Sequence, residues 1–400
     1  MKKLLLLGGS RYLLPVIKAA KELGVYVITA DYLPDNIAHK YADEYKNISI
    51  VDKEAVLNLA KELSIDGILS YATDPGVTTA AFVAEKMGLP TSPYESVVLL
   101  QNKGLFRAFL REKGFNTPYA KCYCEPEDAL VDVSNFRFPV IVKPVDSAGS
   151  KGVKRVDNKE DIILAAEHAL KYSLKGEFII EEFIEKVGFS TDTDSFSIDG
   201  KLVCCSFNNQ WFDTESINPY IPAGYTWPSS MPKDKQAELR AEIQRLMCLL
   251  KMKTSIYNIE TRVGIDGKAY IMECSPRGGG NRLSEVLKLA SGQDLIKASV
   301  KAALGMPIDE IKTDPTYKGY WGEIILHSNK DGIFKKLTID HNFKEKYVKE
   351  VDLWVELGDE VHSFTGANET IGTLIFHCET EEELTRVMKS IKEMVTVILE

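Results

Sequence analysis

Residues 256–282 have the sequence IYNIETRVGIDGKAYIMECSPRGGGNR, in which two neighbouring apolar runs each carry a glutamate. Asp266-Gly267 lies between the runs, and an Asp-Gly step is a strong signal for a β-hairpin turn. We therefore expect two antiparallel strands that bring Glu260 and Glu273 close together. Paired carboxylates suit a hard divalent cation, and the following Arg277 suits a phosphate group. The stretch predicts a Mg-nucleotide site, although a surface hairpin with ordinary acidic residues has the same local pattern.

Length and composition limit the class of protein. A chain of 400 residues is too long for one hydrophobic core, so two or three domains are expected. The composition, 44% apolar and 27% charged, is that of a globular protein, and a net charge of -9 argues against general nucleic-acid binding. The sequence has no apolar run of about eighteen residues, so no membrane span is expected. Seven irregularly spaced cysteines favour reduced thiols and a cytoplasmic location.

Residues 1–98 alternate short apolar strands with helices, which predicts a small doubly wound domain on a parallel sheet. Ligands of such sheets bind at the carboxyl ends of the strands, which here carry residues 8–11, Asp31 and residues 73–76. Asp31 stands where a ribose-binding acid would stand. The dinucleotide fingerprint G-x-G-x-x-G is missing after Gly9, so NAD binding is not expected.

A loop of small residues, VDSAGSKGV at 145–153, follows a predicted strand. A Walker loop would need Gly-Lys-Ser or Gly-Lys-Thr at the start of a helix, and this pattern is missing. The backbone N–H groups, the hydroxyls of Ser147 and Ser150, and the cations of Lys143 and Lys151 nevertheless suit phosphate. Small-residue hairpins are common, so the loop alone is a weak signal.

Two stretches in the second half of the chain have patterns of their own. Residues 207–230 are aromatic, polar and aperiodic, which favours a functional loop over a core element. From about Ile311, short predicted strands separated by glycines precede a helix expected over 381–396. This pattern predicts a separate small α+β lobe. Its histidines have no metal-binding spacing, so structural or surface roles are expected for them.

Taken in chain order, these motifs resemble the ATP-grasp superfamily. The order is Lys103, Lys143, the loop 147–152, the acidic strand end 181–185, Glu260, and Glu273-x-Ser275-x-Arg277. The resemblance covers about residues 1–310, and the ordered set is far more specific than any one motif. It implies an α/β and α+β multidomain fold. The predicted parts are an N-terminal doubly wound domain (1–98), an ATP-grasp domain whose two α+β lobes grip ATP (99–310, with a lid at about 118–185) and a C-terminal α+β lobe (311–400).

The resemblance assigns the phosphates and the purine of ATP to separate residues. Lys103 and Lys143 would hold the triphosphate from two sides, under a mobile lid formed by the loop 147–152. The lid residues expected to contact nucleotide are Ser147, Gly149, Ser150, Lys151 and Gly152. The hinge candidates for adenine are Glu181, Glu182, Phe183 and Ile184. Backbone groups of Glu182 and Ile184 would bind the purine edge, and Phe183 would pack inward.

The resemblance also implies a metal site. Glu260 and Glu273 would bind one or two Mg²⁺ ions, with Mn²⁺ as an alternative. Ser275 stands where the superfamily commonly has Asn, so a second metal would be held more weakly or through water. Gly188 stands where the ribose-binding acid is expected, which leaves Glu185 or Asp192 as substitutes.

Three residues are the catalytic candidates: Lys143, Arg277 and Arg282. Arg277 would contact the transferring phosphoryl group or an acyl-phosphate. Arg282 is either a substrate contact or the salt-bridge partner at the start of a helix. Further candidates for substrate contacts lie in the 207–230 stretch and are Asn208, Asn209, Trp211 and Tyr220.

The function implied by the resemblance is that of an ATP-dependent carboxylate–amine ligase. ATP would phosphorylate a carboxylate, and an amine would attack the acyl-phosphate, which leaves ADP and phosphate. The implied partners are a small-molecule carboxylate and an amine, and a homodimer is compatible with the superfamily. Two alternatives stay open. One is related chemistry on bicarbonate or a purine intermediate, and the other is a nucleotide-binding protein without turnover, for which Ser275 and Gly188 are the reason.

Overall fold

A parallel sheet forms the N-terminal part of the computed structural model, which describes residues 1–147, 149–311 and 313–400. The strands are β1 (Lys3–Leu7), β2 (Tyr26–Asp31), β3 (Glu44–Asn47) and β4 (Gly67–Ser70), in the order β3-β2-β1-β4. The helices are α1 (Leu14–Glu22), α2 (Lys53–Leu63) and α3 (Asp74–Met87). Successive leucines of β1 pack against helices on opposite faces of the sheet. The expected doubly wound domain is confirmed, with β3 added as a polar edge strand.

The next part is an antiparallel sheet, here called the lid sheet. Its elements and those leading to it are α4 (Tyr94–Gln101), α5 (Lys103–Glu112), β5 (Ala120–Tyr123), α6 (Pro126–Asp132), β6 (Val140–Pro144), β7 (Lys154–Val156), α7 (Ile162–Leu170) and β8 (Phe178–Glu182). The strand order is β5-β8-β6-β7. Val140, Val142 and Ile180 pack against α6 and α7. Because side chains alternate along a strand, Lys143 and Glu181 lie on the opposite face, where Arg107 of α5 contacts Glu181.

A second antiparallel sheet, the central sheet, carries the predicted hairpin. The elements in this stretch are β9 (Thr191–Ile198), β10 (Lys201–Cys205), β11 (Asn209–Phe212), β12 (Pro222–Trp227), α8 (Lys233–Leu249), β13 (Ser255–Val263), β14 (Ala269–Ser275), α9 (Leu283–Ser291) and α10 (Leu295–Ala303). The central sheet has the order β10-β9-β13-β14. Glu260 pairs with Glu273 across β13 and β14, and with Asp192 across β13 and β9. The predicted hairpin is confirmed, and its register shifts between Glu260 and Thr261.

The C-terminal lobe takes two strands from the middle of the chain. Its own elements are β15 (Tyr320–Leu326), β16 (Gly332–Ile339), α11 (His341–Lys346), β17 (Val348–Leu353), β18 (Glu360–Val361), β19 (Gly372–Cys378), α12 (Glu381–Met394) and β20 (Val395–Leu399). The larger sheet has the order β11-β12-β15-β19-β17, and the smaller one β18-β16-β20.

Two expectations for this region are wrong. Residues 207–230 are not a single loop, because β11 and β12 belong to a sheet in which Tyr225 and Trp227 are buried. The pairing partner of β12 is β15, nearly a hundred residues further on, so no local pattern revealed it. The final helix ends at Met394 rather than 396, and the chain continues as β20, which pairs with β16. Among the described residues, the helices are too short or too polar to cross a membrane.

Candidate active site

The space between the lid sheet and the central sheet, here called the cleft, has a basic wall on the side of the lid. Lys143 on β6 and Arg107 on α5 donate to the two carboxylate oxygens of Glu181 on β8, with Arg107 Nε at 2.8 Å. Burial opposes the ionisation of Glu181, yet the two cations outweigh it and lower its pKa to about 2. Two cations around one ionised carboxylate leave an excess positive charge, which attracts phosphate.

Lys103 contacts both the lid loop and an acidic residue of the central sheet. It is the first residue of α5, and its Nζ donates to the backbone oxygen of Ser147 at 2.8 Å. The same Nζ lies 3.8 Å from Oε1 of Glu273. The structure therefore brings together three parts of the predicted site: a phosphate-binding lysine, the lid loop and a metal-binding carboxylate.

The acidic wall consists of Asp192, Glu260 and Glu273, which lie side by side on β9, β13 and β14. Glu260 accepts a hydrogen bond from Arg262 Nη2 at 2.6 Å. Within the described part of the chain, no group of three or more His, Cys, Asp or Glu side chains is arranged to hold a metal ion. Carboxylate oxygens nevertheless suit Mg²⁺, which commonly takes one or two carboxylates and completes its shell with phosphate and water oxygens. The donor set therefore fits Mg²⁺ bound together with a nucleotide.

The pKa of Asp192 departs from the usual value of an aspartate. Burial and the neighbouring Glu260 raise its pKa to about 7. Its carboxylate accepts hydrogen bonds from Asn258 at 2.8 Å and from the Tyr225 hydroxyl at 3.1 Å. The sequence offered Asp192 as a substitute for the ribose-binding acid. The structure places Asp192 beside the metal candidate Glu260, and its role toward ribose stays a prediction.

Asp74 accepts hydrogen bonds from both Arg277 and Ser275, a contact that the sequence did not predict. The guanidinium of Arg277 binds both carboxylate oxygens of Asp74, at 3.0 and 2.7 Å, and donates to Asn258 at 3.0 Å. The Ser275 hydroxyl donates to Asp74 at 2.9 Å and accepts from Gln101. Asp74 begins α3, at one of the strand ends predicted to carry a ligand. In this geometry the two residues join β14 to the N-terminal domain, and their roles toward metal and phosphoryl groups stay predictions.

The glycines after Arg277 are required by close packing. A Cβ on Gly278 would lie 2.2 Å from the Tyr71 ring, and one on Gly279 would lie 2.9 Å from Asp194. The Gly279 N–H donates to Asp194 at 2.8 Å. Only a backbone without side chains can pass between these groups.

The lid loop lies against the C-terminal lobe. Gly149, Ser150 and Gly152 have φ of 66°, 59° and 73°, a backbone conformation that favours glycine. The Ser150 hydroxyl donates to the backbone oxygen of Tyr220 at 3.1 Å. Ala148, which falls within the predicted loop, lies outside the described residues. The contact sites predicted for Ser147, Gly149, Ser150, Lys151 and Gly152 remain predictions.

The predicted hinge differs from expectation in two details. The Glu182 N–H donates to Tyr119 at 2.9 Å, so that group is already occupied. Phe183 does not pack inward: it is only half-buried, and Arg155 lies over its ring at 4.9 Å. Ile184 is the buried residue, at 8% exposure. Both residues follow the end of β8 at Glu182, so alternation along the strand did not determine which of them packs inward.

Most of the residues predicted to contact substrate form hydrogen bonds within the protein. Asn208 and Asn209 are buried, and both side-chain oxygens accept backbone N–H groups. The Trp211 indole donates to Thr226 at 3.0 Å. Tyr220 contributes its backbone oxygen to the lid. These contacts explain the polar, aromatic composition of the stretch by strand packing.

Arg282 forms salt bridges, which was one of the two roles that the sequence left open for it. Its guanidinium pairs with Glu285 at 3.1 Å and with Glu350. Close by, Glu323 on β15 is 0% exposed, and neither of its carboxylate oxygens has a hydrogen-bond partner among the described residues. Burial raises the pKa of Glu323 well above its usual range. An acidic residue within an apolar strand is the one sequence signal for it.

Proteins of known family and structure are similar to this chain. Residues 136–285 match the model of the family described as ATP-grasp domain. The carbamoyl phosphate synthase large chain of Thermoanaerobacter pseudethanolicus is 25% identical over 320 residues, which cover 75% of this chain and 29% of that protein. The chain thus spans less than a third of that relative's length.

Solved structures match the whole chain. The L-amino acid ligase of Bacillus licheniformis superposes with a TM-score of 0.83 at 21% identity, covering 100% of this chain and 99% of that one. The biotin carboxylase domain of the 2-oxoglutarate carboxylase of Hydrogenobacter thermophilus, in complex with MgADP and bicarbonate, has a TM-score of 0.76 at 17% identity and covers 100% and 91%. Residues 136–285 therefore match an ATP-grasp domain, and the fold of the whole chain is that of these two solved structures.

Proposed function

We propose that this protein is an ATP-dependent carboxylate–amine ligase. It would join an amino acid or related small acid to an amine, with ADP and phosphate as the other products. The observation that carries the proposal is the meeting of the two walls, in which Lys103 lies 3.8 Å from Glu273, the cross-strand partner of Glu260. Lys143 lies on the basic wall, bound to Glu181. The likeness to an L-amino acid ligase over the full length supports an amino acid as the carboxylate.

The proposed reaction has two steps. A carboxylate oxygen attacks the γ-phosphorus of ATP, and ADP leaves with the electrons of the broken P–O bond. The amine then attacks the acyl carbon, loses a proton and displaces phosphate. The protein contributes chiefly position and charge in such reactions.

Each wall has its own part in these steps. Lys103 and Lys143 bind phosphate oxygens and hold the triphosphate in line with the acceptor carboxylate. Glu260 and Glu273 would hold Mg²⁺, which supplies further neutralisation of the triphosphate charge. The lid loop, in contact with Tyr220, limits the access of water, which would otherwise hydrolyse the acyl-phosphate.

Product analysis tests this proposal. Purified protein with Mg-ATP and a pool of amino acids and related acids should release ADP and phosphate, and added hydroxylamine should give a hydroxamate. Release of AMP and pyrophosphate would contradict the mechanism.

A second candidate is carboxylation of the kind that uses bicarbonate, because a structure holding MgADP and bicarbonate also matches the full chain. ADP release that depends on bicarbonate and needs no amino acid would favour it. Tight Mg-ATP binding without turnover on any of these substrates, unchanged by Ser275→Asn, would instead favour a nucleotide-binding protein without ligase activity.

A further inference from the structure

On the basis of the Mg-nucleotide site in the proposed function, we propose that Arg262 is shared between Glu260 and the nucleotide. Its guanidinium Nη2 donates to Oε1 of Glu260 at 2.6 Å. A divalent cation at Glu260 would compete with Arg262 for this carboxylate. The displaced guanidinium would then bind a phosphate oxygen of the nucleotide, so that the metal ion and the nucleotide favour each other's binding.

Arg262 lies on the face of β13 that carries the acidic wall. Side chains alternate along a strand, so Asn258, Glu260 and Arg262 share one face, and the residues between them are buried on the other. At one end of this row, Asn258 accepts a hydrogen bond from Arg277. Arg262 therefore lies on the opposite side of Glu260 from the residue expected to contact the transferring phosphoryl group.

The other end of the row is attached to the segment that follows the predicted adenine hinge. The Val187 N–H donates to the backbone oxygen of Val263 at 2.9 Å, and Lys186 forms a β-bridge with Gly264. A nucleotide with its purine at the hinge and its phosphates at the basic wall would therefore pass Arg262.

The guanidinium of Arg262 keeps donors for such a contact. Within the described part of the chain, Glu260 is its one hydrogen-bond partner, and the side chain is 16% exposed. The Nε is buried, so a contact to nucleotide would use the Nη atoms. A planar guanidinium suits phosphate oxygens, and a hydrogen bond between two charged groups is stronger than one between neutral groups.

Lys186 is a second cation in this region. Its Nζ lies 5.1 Å from the centre of the Phe212 ring. Burial and the nearby Arg262 lower the pKa of Lys186, whereas Glu260 raises it. The three charged groups thus affect one another, and a metal ion at Glu260 would leave the two cations without that carboxylate. A phosphate oxygen is the nucleotide group that restores the balance.

This arrangement couples the two ligands. A metal ion that binds alone must displace Arg262 from Glu260, and a nucleotide that binds alone must draw Arg262 away from it. Whichever ligand binds first removes this cost for the other. The affinities therefore rise together, and by the same factor in both directions.

Binding measurements on the full chain test the coupling without turnover. Arg262→Met frees Glu260, so Mn²⁺ without nucleotide should bind about tenfold more tightly than to the wild type. Electron paramagnetic resonance of the free ion measures this. The same variant loses a phosphate contact, so ADP in the presence of EDTA should bind about threefold more weakly by calorimetric titration. A merely structural defect would weaken both ligands.

Arg386→Met is the matched control for that substitution. Arg386 is an exposed arginine on α12 in the C-terminal lobe, and its loss should leave both affinities unchanged. If thermal melting shows that Arg262→Met is not folded, Arg262→Gln takes its place with the same expected results.

Glu260→Gln separates a direct contact from charge repulsion. In this neutral background, Arg262→Met should still weaken the binding of metal-free ADP by about threefold or more, because Arg262 is no longer held by a carboxylate. An unchanged ADP affinity there means that Arg262 only neutralises Glu260, and it overturns the proposal. The proposal is also overturned if Mn²⁺ binds Arg262→Met no more tightly than the wild type.

Failure of the ligase function gives a different result. A protein that shows these binding changes but forms no hydroxamate refutes the ligase and leaves the role of Arg262 intact. A wild type without saturable binding of ADP, with or without Mg²⁺, overturns both.

Discussion

Glu181 and Asp192 face the same cleft from opposite walls, and their acidities change in opposite directions. Two cations lower the pKa of Glu181 to about 2, whereas burial and Glu260 raise that of Asp192 to about 7. The basic wall thus carries more positive charge than its own carboxylate neutralises, whereas on the acidic wall three carboxylates lie side by side with Arg262 and Lys103 as their neighbouring cations. The proposed function uses this difference, with phosphate at the basic wall and a metal ion at the acidic one.

The largest effect should come from the acidic wall. Glu273→Gln removes a charge that faces both Glu260 and Lys103, so less charge remains to hold Mg²⁺. We expect kcat to fall by about 100-fold or more, since metal-based charge stabilisation contributes several kcal/mol. Initial rates of ADP release measure this, and thermal melting shows whether the fold is intact.

Glu112→Gln is the matched control for that substitution. Glu112 is an exposed glutamate at the end of α5, and its loss should leave the rate unchanged. Substantial turnover in Glu273→Gln would refute the metal assignment.

On the basic wall, Lys143→Gln should weaken nucleotide binding rather than unfold the protein. Arg107 continues to neutralise Glu181, but the excess positive charge is lost. We expect the Kd for Mg-ATP to rise by about tenfold, as for a charge-assisted hydrogen bond. Calorimetric titration measures it. Lys154→Gln, on the neighbouring strand β7, is the control, and an equal effect in both variants would contradict a specific role for Lys143.

The smallest effect concerns pH. The pKa of Asp192 is raised in the folded protein from 3.8 to about 7, so between these values the folded state binds more protons than the unfolded state. Its contribution to stability is therefore present at low pH and is lost as pH rises toward 7. Between pH 5 and 8, the free energy of unfolding of the wild type should fall relative to Asp192→Asn by on the order of 1 kcal/mol. Urea denaturation at both pH values measures it, and parallel pH profiles would contradict the assigned pKa.

The sequence predicted best those structural features that depend on residues close together along the chain. The Asp-Gly turn correctly predicted the hairpin that brings Glu260 close to Glu273, whereas their direct pairing depends on a register shift between Glu260 and Thr261 that the sequence did not reveal. The order of motifs likewise predicted the ATP-grasp fold. The domain boundaries and the individual contacts to ATP and metal stay predictions.

Contacts between distant segments were not predictable in this way. Arg107 meets Glu181 and Asp74 meets Arg277 only because three separate parts of the chain fold together. Arg107 had one weak signal, a charge on the apolar face of α5. The placement of Trp211 and Asn209 in a loop was wrong for the same reason, since β15 completes their sheet from far along the sequence, and their contact with substrate stays a prediction.

Transfer of oxygen between substrates tests the central claim most directly. Acids with ¹⁸O-labelled carboxylates, supplied as a pool with amines and Mg-ATP, should yield ADP together with inorganic phosphate that carries ¹⁸O. An acyl-phosphate requires this result, because its bridging oxygen comes from the carboxylate and leaves with phosphorus. Unlabelled phosphate formed alongside the amide product, or label found in AMP with release of pyrophosphate, would contradict the account.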